Sequence, residues 1–290
     1  MSARAVAVSG SRLDQWLVAH GHAASREEAQ AVIMAGAVTV DGQRVDKPGR
    51  RVGAAARVVL HGPGREYASR GGLKLVHALT TFGVGVDGRT AVDLGASTGG
   101  FTDCLLRHGA AHVYAVDVGR GQLAWRLRTD PRVTVLDEVN ARYLEPHQVG
   151  GPCDLVTVDL AFISLRLVWG AIARLLRPGA DVIALVKPQF EAGRAQVGRG
   201  GVVRDPAVHA SVLRDVLEAA QGHGLVAVDA TPSPVTGPAG NIEYLVHLRA
   251  AQPSAPVDID AVVADAHARL GRPSSAGRRT PATPADRGRG

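Results

Sequence analysis

The amino-acid sequence predicts an α/β fold in which a mostly parallel sheet is covered by helices on both faces and preceded by a small α+β domain. Three observations carry that expectation. Apolar runs of strand length alternate with segments of helical period from about residue 67 to 250, as repeated strand and helix units require. A glycine-rich turn joins the first of these strands directly to a helix. The first 60 residues instead show two short amphipathic helices followed by hairpin chemistry. With 290 residues, 46% of them hydrophobic, the chain can fill one large core and one small one.

The small domain is expected over residues 10–62. Leu13, Trp16 and Leu17 stand at i, i+3 and i+4, which predicts a helix over 12–20. Ser25 is a suitable N-cap, and Glu28 completes a capping box ahead of Ala29, Val32 and Ile33, so a second helix should run as far as Gly36. Val38 to Val40 and Arg44-Val45 flank Asp41-Gly42, a dipeptide that tolerates the positive φ of a tight hairpin turn. A strand over 57–60 closes the unit.

Residues 63–66 read as a linker, because glycine and proline break both periodicities. The large domain follows over 67–250, with helices at 70–82, 100–108, 120–128, 165–176 and 206–222. Strands are expected at 90–94, 112–117, 133–136, 154–159, 181–187, 225–230 and 242–248, the last two as a terminal hairpin. Residues 251–290 are expected to be a disordered tail that contains at most one short helix, over 259–270, since Pro, Ser and Arg dominate its end.

Composition narrows the function classes. A net charge of +6 favours a polyanionic partner. No apolar run reaches the roughly 18 residues needed to cross a bilayer, and Met1 to Gly10 is too short in apolar residues for a signal peptide, so a cytoplasmic protein with no membrane partner is expected. Cys104 and Cys153 are too few for a disulfide framework and lack the spacing of a zinc site. His108 and His112 straddle the end of a helix and the start of a strand, which gives a metal site no support.

Thr90 to Leu94 is a buried strand that runs into Gly95-Ala96-Ser97-Thr98-Gly99-Gly100 and then a helix. Glycines there let backbone approach a ligand closely. The second strand ends at Asp117, 22 residues after Gly95, the separation at which a carboxylate can accept from a ribose diol. Together these features point to a nucleoside-containing cofactor. The order G-x-G-x-x-G that receives a pyrophosphate is missing. Strand ends at Asp159 and Lys187 deliver a carboxylate and an amine to the same crevice. Lys74 precedes the first strand, and Glu243 is expected on the last.

Several motifs carry a family resemblance: Ser69-Arg70-Gly71, Gly95 to Phe101, Gly121 to Trp125, Val186 to Glu191 and Gly198 to Asp205. The chain resembles the TlyA family, in which an S-four-type RNA-binding module is fused to an FtsJ-like, Rossmann-type class I methyltransferase domain, over about residues 10–250. The resemblance implies S-adenosylmethionine as cofactor, ribose 2′-O-methylation as reaction, and ribosomal RNA or ribosomal subunits as partner, with cytidine in 16S or 23S rRNA as target. It places a catalytic tetrad on Lys74, Asp159, Lys187 and Glu243. It also places Asp93 at the methionine part of the cofactor and Asp137, Glu138 and Asn140 at the adenine. Arg12, Arg26, Arg44 and Arg70 become the RNA-contacting arginines. A monomer is favoured.

The tetrad has a chemical rationale. A ribose 2′-hydroxyl is a poor nucleophile and must lose its proton as it attacks a sulfonium methyl. Lys187 is the expected base, and burial or a neighbouring cation such as Lys74 must favour its neutral form. Base amino methylation is disfavoured because Asp159-Leu160-Ala161-Phe162 lacks the paired prolines of that chemistry. Cytosine C5 methylation needs a cysteine nucleophile beside the cofactor, and neither cysteine is so placed. Some members of the resembling family carry a haemolysin label, which leaves a cytolysin as a competing class.

Overall fold

The computed structural model describes residues 10–20, 22–23, 25–34, 38–53, 56–60, 67–250 and 255–271. The linker expected at 63–66 lies outside them. In the small domain, β1 (Ser11–Arg12), α1 (Leu13–Ala19) and α2 (Arg26–Met34) are followed by β2 (Val38–Val40), β3 (Gln43–Val45), β4 (Arg51–Val52) and β5 (Val58–Leu60). The sheet order is β3-β2-β5, and β1 pairs separately with β4. Asp41 and Gly42 have φ of 53° and 79°, the doubly positive turn that matches strand twist in a two-residue hairpin. The Ser25 hydroxyl accepts from the Glu28 N–H at 3.2 Å, as an N-cap should. Leu13, Leu17, Ala29, Ile33, Val38 and Val45 form the core.

One charged group is inside it. Asp14 is fully buried, and it accepts from Arg12 Nε at 3.0 Å and Nη2 at 2.9 Å, from Arg26 Nε at 3.0 Å and from Gln30 Nε2 at 3.2 Å. The Arg12 guanidinium, foremost among these donors, holds the Asp14 carboxyl well below the usual carboxylate range.

The large domain begins with α3 (Gly71–Phe82), which ends on Gly83 in the left-handed conformation. It continues with β6 (Thr90–Leu94), α4 (Gly100–Arg107), β7 (His112–Val116), α5 (Trp125–Arg128), β8 (Val133–Leu136), β9 (Cys153–Val158), α6 (Trp169–Leu175), β10 (Leu176–Val186), α7 (Pro188–Glu191), α8 (Pro206–Gln221), β11 (Leu225–Pro232), β12 (Tyr244–Ala250) and α9 (Ile259–Leu270). The seven strands lie in the order β11-β12-β10-β9-β6-β7-β8. Every pair from β10 to β8 is parallel, whereas β12 runs antiparallel to both β10 and β11. Strands alternate between two cores. Val182, Ala184 and Val186 face Trp169, Ile172, Leu213 and Val216, while Ile183 and Leu185 face Leu75, Leu79, Phe101 and Leu105. Sequence order reverses between β6 and β9, so the ligand crevice of such a sheet opens at their C-terminal ends.

Four expectations need correction. The helix placed at 120–128 is only α5, because Gly121 takes a φ of 67° that an α-helix cannot carry, and the Gly119 and Gly121 N–H groups bond to Asp117 and Asp137 instead. The helix placed at 165–176 breaks into a short turn at Leu165–Leu167 and α6. Glu243 precedes the final strand rather than lying on it. Finally, α9 is no part of a disordered tail. Ile259, Val263 and Ala266 pack into the large core, and Arg214 Nη2 meets both carboxylate oxygens of Asp260 at 2.6 and 2.7 Å.

Candidate active site

Register assembles the site. The parallel pairing of β6 with β9 ends at Leu94 opposite Val158, which brings Gly95 beside Asp159. Gly95 has a φ of 85°, and a Cβ there would stand 2.7 Å from the Asp159 carbonyl oxygen, so only glycine fits. The antiparallel pairing of β10 with β12 ends at Val186 opposite Tyr244, which places Lys187 and Glu243 side by side in sequence register. The turn folds back as the Gly95 and Ala96 N–H groups donate to the Val116 carbonyl at 2.9 and 3.1 Å.

A cleft of about 270 Å³ opens over this turn. Its walls include Ala96, Ser97, Thr98 and Gly100 of the turn, Arg70 and Lys74 from α3 and its approach, Asp159, and Val235 with Pro238 from the loop before β12. The four predicted tetrad residues resolve into two ion pairs. Lys187 Nζ lies 2.7 Å from Asp159 Oδ1, and Lys74 Nζ donates to Glu243 Oε2 at 2.5 Å. The second pair is the deeper one, with side chains 10% and 1% exposed.

Asp117 Oδ2 accepts from the Ser97 N–H at 2.8 Å and Oδ1 from the Gly119 N–H at 2.7 Å, so its carboxylate braces the turn from the end of β7. Two of its roughly four acceptor positions remain. Other predicted cofactor contacts are placed differently. Asp93 is fully buried behind the turn and accepts from the Thr102 and Thr157 hydroxyls at 2.7 and 3.0 Å. It does not line the cleft; it fastens β6 to α4 and β9. Asp137 Oδ2 receives Arg128 Nη2 at 2.5 Å and the Gly121 N–H at 3.1 Å. Asn140 caps a short turn through Arg142 N at 3.0 Å. Glu138, at a φ of 61°, is exposed in the same connection. None of these three borders the cleft.

Burial pushes the Asp93 carboxyl up to about 7. An unfolded aspartate ionises near 3.9, so between the two values the folded chain keeps a proton that the unfolded chain has lost. Through this group, stability is greatest at the acid end and declines as pH rises to about 7. Asp93→Asn, which cannot ionise, should therefore flatten the fall in urea midpoint between pH 5 and pH 8. Equal falls in wild type and variant would assign the decline elsewhere.

Sequence reasoning missed Phe162. It is 90% exposed, adopts a φ of 62°, and tilts against Phe190 with ring centroids 5.1 Å apart. Lys187 Nζ stands 5.9 Å from the centroid of that second ring. Only an aromatic residue close after a strand-end carboxylate hinted at it. Glu191, Asp103 and Asp14 were also missed, because a buried carboxylate has no periodic signature. Cys153, in contrast, behaves as expected of a structural residue: burial pushes its thiol up to about 12, far from a usable thiolate.

A glycine turn at the switch point, braced by an acidic residue from the neighbouring strand, defines a Rossmann-type site for a nucleoside-containing cofactor. Residues 67–250 match the FtsJ-like methyltransferase family, and residues 11–58 match the S4 domain. The chain is 50% identical over 240 residues to the 16S/23S rRNA (cytidine-2′-O)-methyltransferase TlyA of Mycobacterium tuberculosis, covering 82% of this chain and 90% of that one. Hemolysin A of Brachyspira hyodysenteriae is 38% identical, covering 81% and 98%. A solved structure of a candidate hemolysin from Streptococcus thermophilus superposes with a TM-score of 0.71 at 43% identity, covering 91% and 98%. The chain belongs to the TlyA family of FtsJ-like methyltransferases that carry an N-terminal S4 domain.

Proposed function

We propose that this chain transfers a methyl group from S-adenosylmethionine to the 2′-hydroxyl of a cytidine in ribosomal RNA. Two ion pairs beside one cleft carry the reading: Lys187–Asp159 and Lys74–Glu243, of which Asp159 and Lys74 line the cleft wall. A nucleoside cofactor fits: the glycine turn holds Ala96, Ser97 and Thr98 in the cleft wall, and Asp117 keeps acceptor capacity for a ribose diol. The residues that would hold S-adenosylmethionine are Gly95, Ala96, Ser97, Thr98, Gly99 and Gly100 with Asp117. That cofactor supplies an electrophilic sulfonium methyl. Lys187 takes the hydroxyl proton as the oxygen attacks, Asp159 orients the Lys187 amine, and Glu243 fixes Lys74 beside the reacting sugar.

RNA enters this reading through exposed groups. Arg70 stands at the cleft, and Arg12 and Arg26 keep 42% and 48% of their side chains exposed even while paired with Asp14, which suits phosphate contacts. The Arg44 side chain lies outside the described residues. Phe162 offers a flat apolar face on which an unstacked base can rest. Phe162→Ala is therefore expected to lower kcat/KM on RNA by roughly 5- to 150-fold, from the loss of about 1–3 kcal/mol of stacking, with unchanged affinity for S-adenosylhomocysteine by calorimetry.

Incubation with radiolabelled S-adenosylmethionine and separated ribosomal subunits, followed by mapping of 2′-O-methyl sites, tests the proposal. A methylated cytidine ribose in 16S or 23S rRNA is expected. Label on a base, or on none of the ribosomal RNAs, would overturn it. Among the described residues no helix is long and apolar enough to cross a membrane; cofactor-independent leakage of lipid vesicles would favour a lytic role instead.

A further inference from the structure

We propose that Glu191 is a positioning residue for this methyl transfer: its buried carboxylate locks the loop bearing Asp159 and Phe162 onto the turn bearing Lys187 and Phe190. This inference rests on the reaction proposed above. Glu191 ends α7, the short helix that Lys187 opens, and is 8% exposed. Its Oε2 accepts from the Ser164 hydroxyl at 2.6 Å and its Oε1 from the Leu165 N–H at 2.8 Å. Arg166 Nη2 donates to the Glu191 carbonyl at 3.3 Å. Both carboxylate oxygens are thus committed to a single segment that is 26 and 27 residues earlier in the chain.

Burying a carboxylate is costly unless it is well bonded, and burial indeed pushes Glu191 upward from the ordinary range. An apolar side chain would fill the same space without that cost, but it could not grip two donors at once. The gripped segment needs holding. Its near end is fixed where the Asp159 N–H donates to the Leu94 carbonyl at 2.9 Å. Between there and Ser164 stands Phe162 at a φ of 62°, a left-handed phenylalanine that persists only when its surroundings enforce it. Glu191 supplies the far anchor. The Lys187–Asp159 pair and the Phe162–Phe190 contact both bridge the two segments joined in this way, so a slack anchor displaces base, orienting carboxylate and aromatic platform together.

Steady-state kinetics on ribosomal subunits test this in the full chain. Glu191→Ala should lower kcat about 10²-fold, the cost of a misplacement near 1 Å, while the dissociation constant of S-adenosylhomocysteine stays within twofold of wild type. Glu191→Gln should recover most of the rate, since an amide can still accept from Leu165 N and donate to the Ser164 oxygen. Wild-type kcat in Glu191→Ala, or Glu191→Gln no better than alanine, would overturn the proposal. If Glu191→Ala fails to fold, Ser164→Ala decides: a several-fold lower kcat with unchanged S-adenosylhomocysteine affinity supports the anchor, and an unchanged kcat overturns it. An inactive wild type would instead refute the assigned reaction.

Discussion

Lys187→Ala is expected to abolish methyl transfer while leaving S-adenosylhomocysteine affinity nearly unchanged. Lys187 follows β10 and its amine lies 2.7 Å from Asp159, which lines the cleft, whereas the turn that would hold the nucleoside follows β6 and is braced from the end of β7. General base catalysis contributes roughly 10²- to 10⁴-fold, so a loss in that range is anticipated in single-turnover assays at saturating cofactor. Turnover within threefold of wild type would exclude Lys187 as the proton acceptor.

The second large effect concerns Lys74 and Glu243, and it separates stability from chemistry. Glu243→Ala leaves a buried ammonium without its partner, which costs about 3–5 kcal/mol, and the urea midpoint should fall accordingly. The double variant Lys74→Met with Glu243→Leu removes both charges and should recover most of that stability, because apolar pairs of similar volume replace buried ion pairs with little penalty. Its turnover should stay lost. A double variant that regained both would reduce the pair to scaffolding, and one that regained neither would mean that the 237–243 loop depends on Glu243 in another way, as its packing against Gly237 allows: a Cβ there would stand 2.6 Å from Glu243 Oε1.

What could be read in the sequence was whatever repeats locally. The stretch Val182 to Val186 of β10 is apolar throughout because both faces are covered, and the Asp41-Gly42 hairpin and the Ser25 cap are short-range signals. Lys74, Asp159, Lys187 and Glu243 were singled out through motifs, although their division into two ion pairs was not legible, since it depends on how β9 lies beside β10 and α3 beside the start of β12. The partners of the adenine-side residues were not legible. Asp137 and Asn140 sit at the expected strand end, but their side chains are engaged by Arg128 and by the Arg142 N–H. The short helix expected over 259–270 is present as α9, but its packing into the large core was not legible, because Pro and Arg beyond it dominate the composition while its buried stripe of Ile259, Val263 and Ala266 is helical in period. Asp14 escaped entirely, and Glu191 stood only as the end of a motif, because the partners that make each of them matter are distant or off-pattern.

The insertion of β12 between β10 and β11 has a temporal consequence. Lys74 must wait for Glu243, 169 residues later, and Glu243 arrives only with the last strand of the sheet to leave the ribosome. A growing chain can form the glycine turn and the Asp159 end of the crevice long before it can neutralise Lys74. The buried Lys74–Glu243 pair therefore cannot form until every strand up to β12 has been made, so it is a property of the finished sheet rather than of its first half.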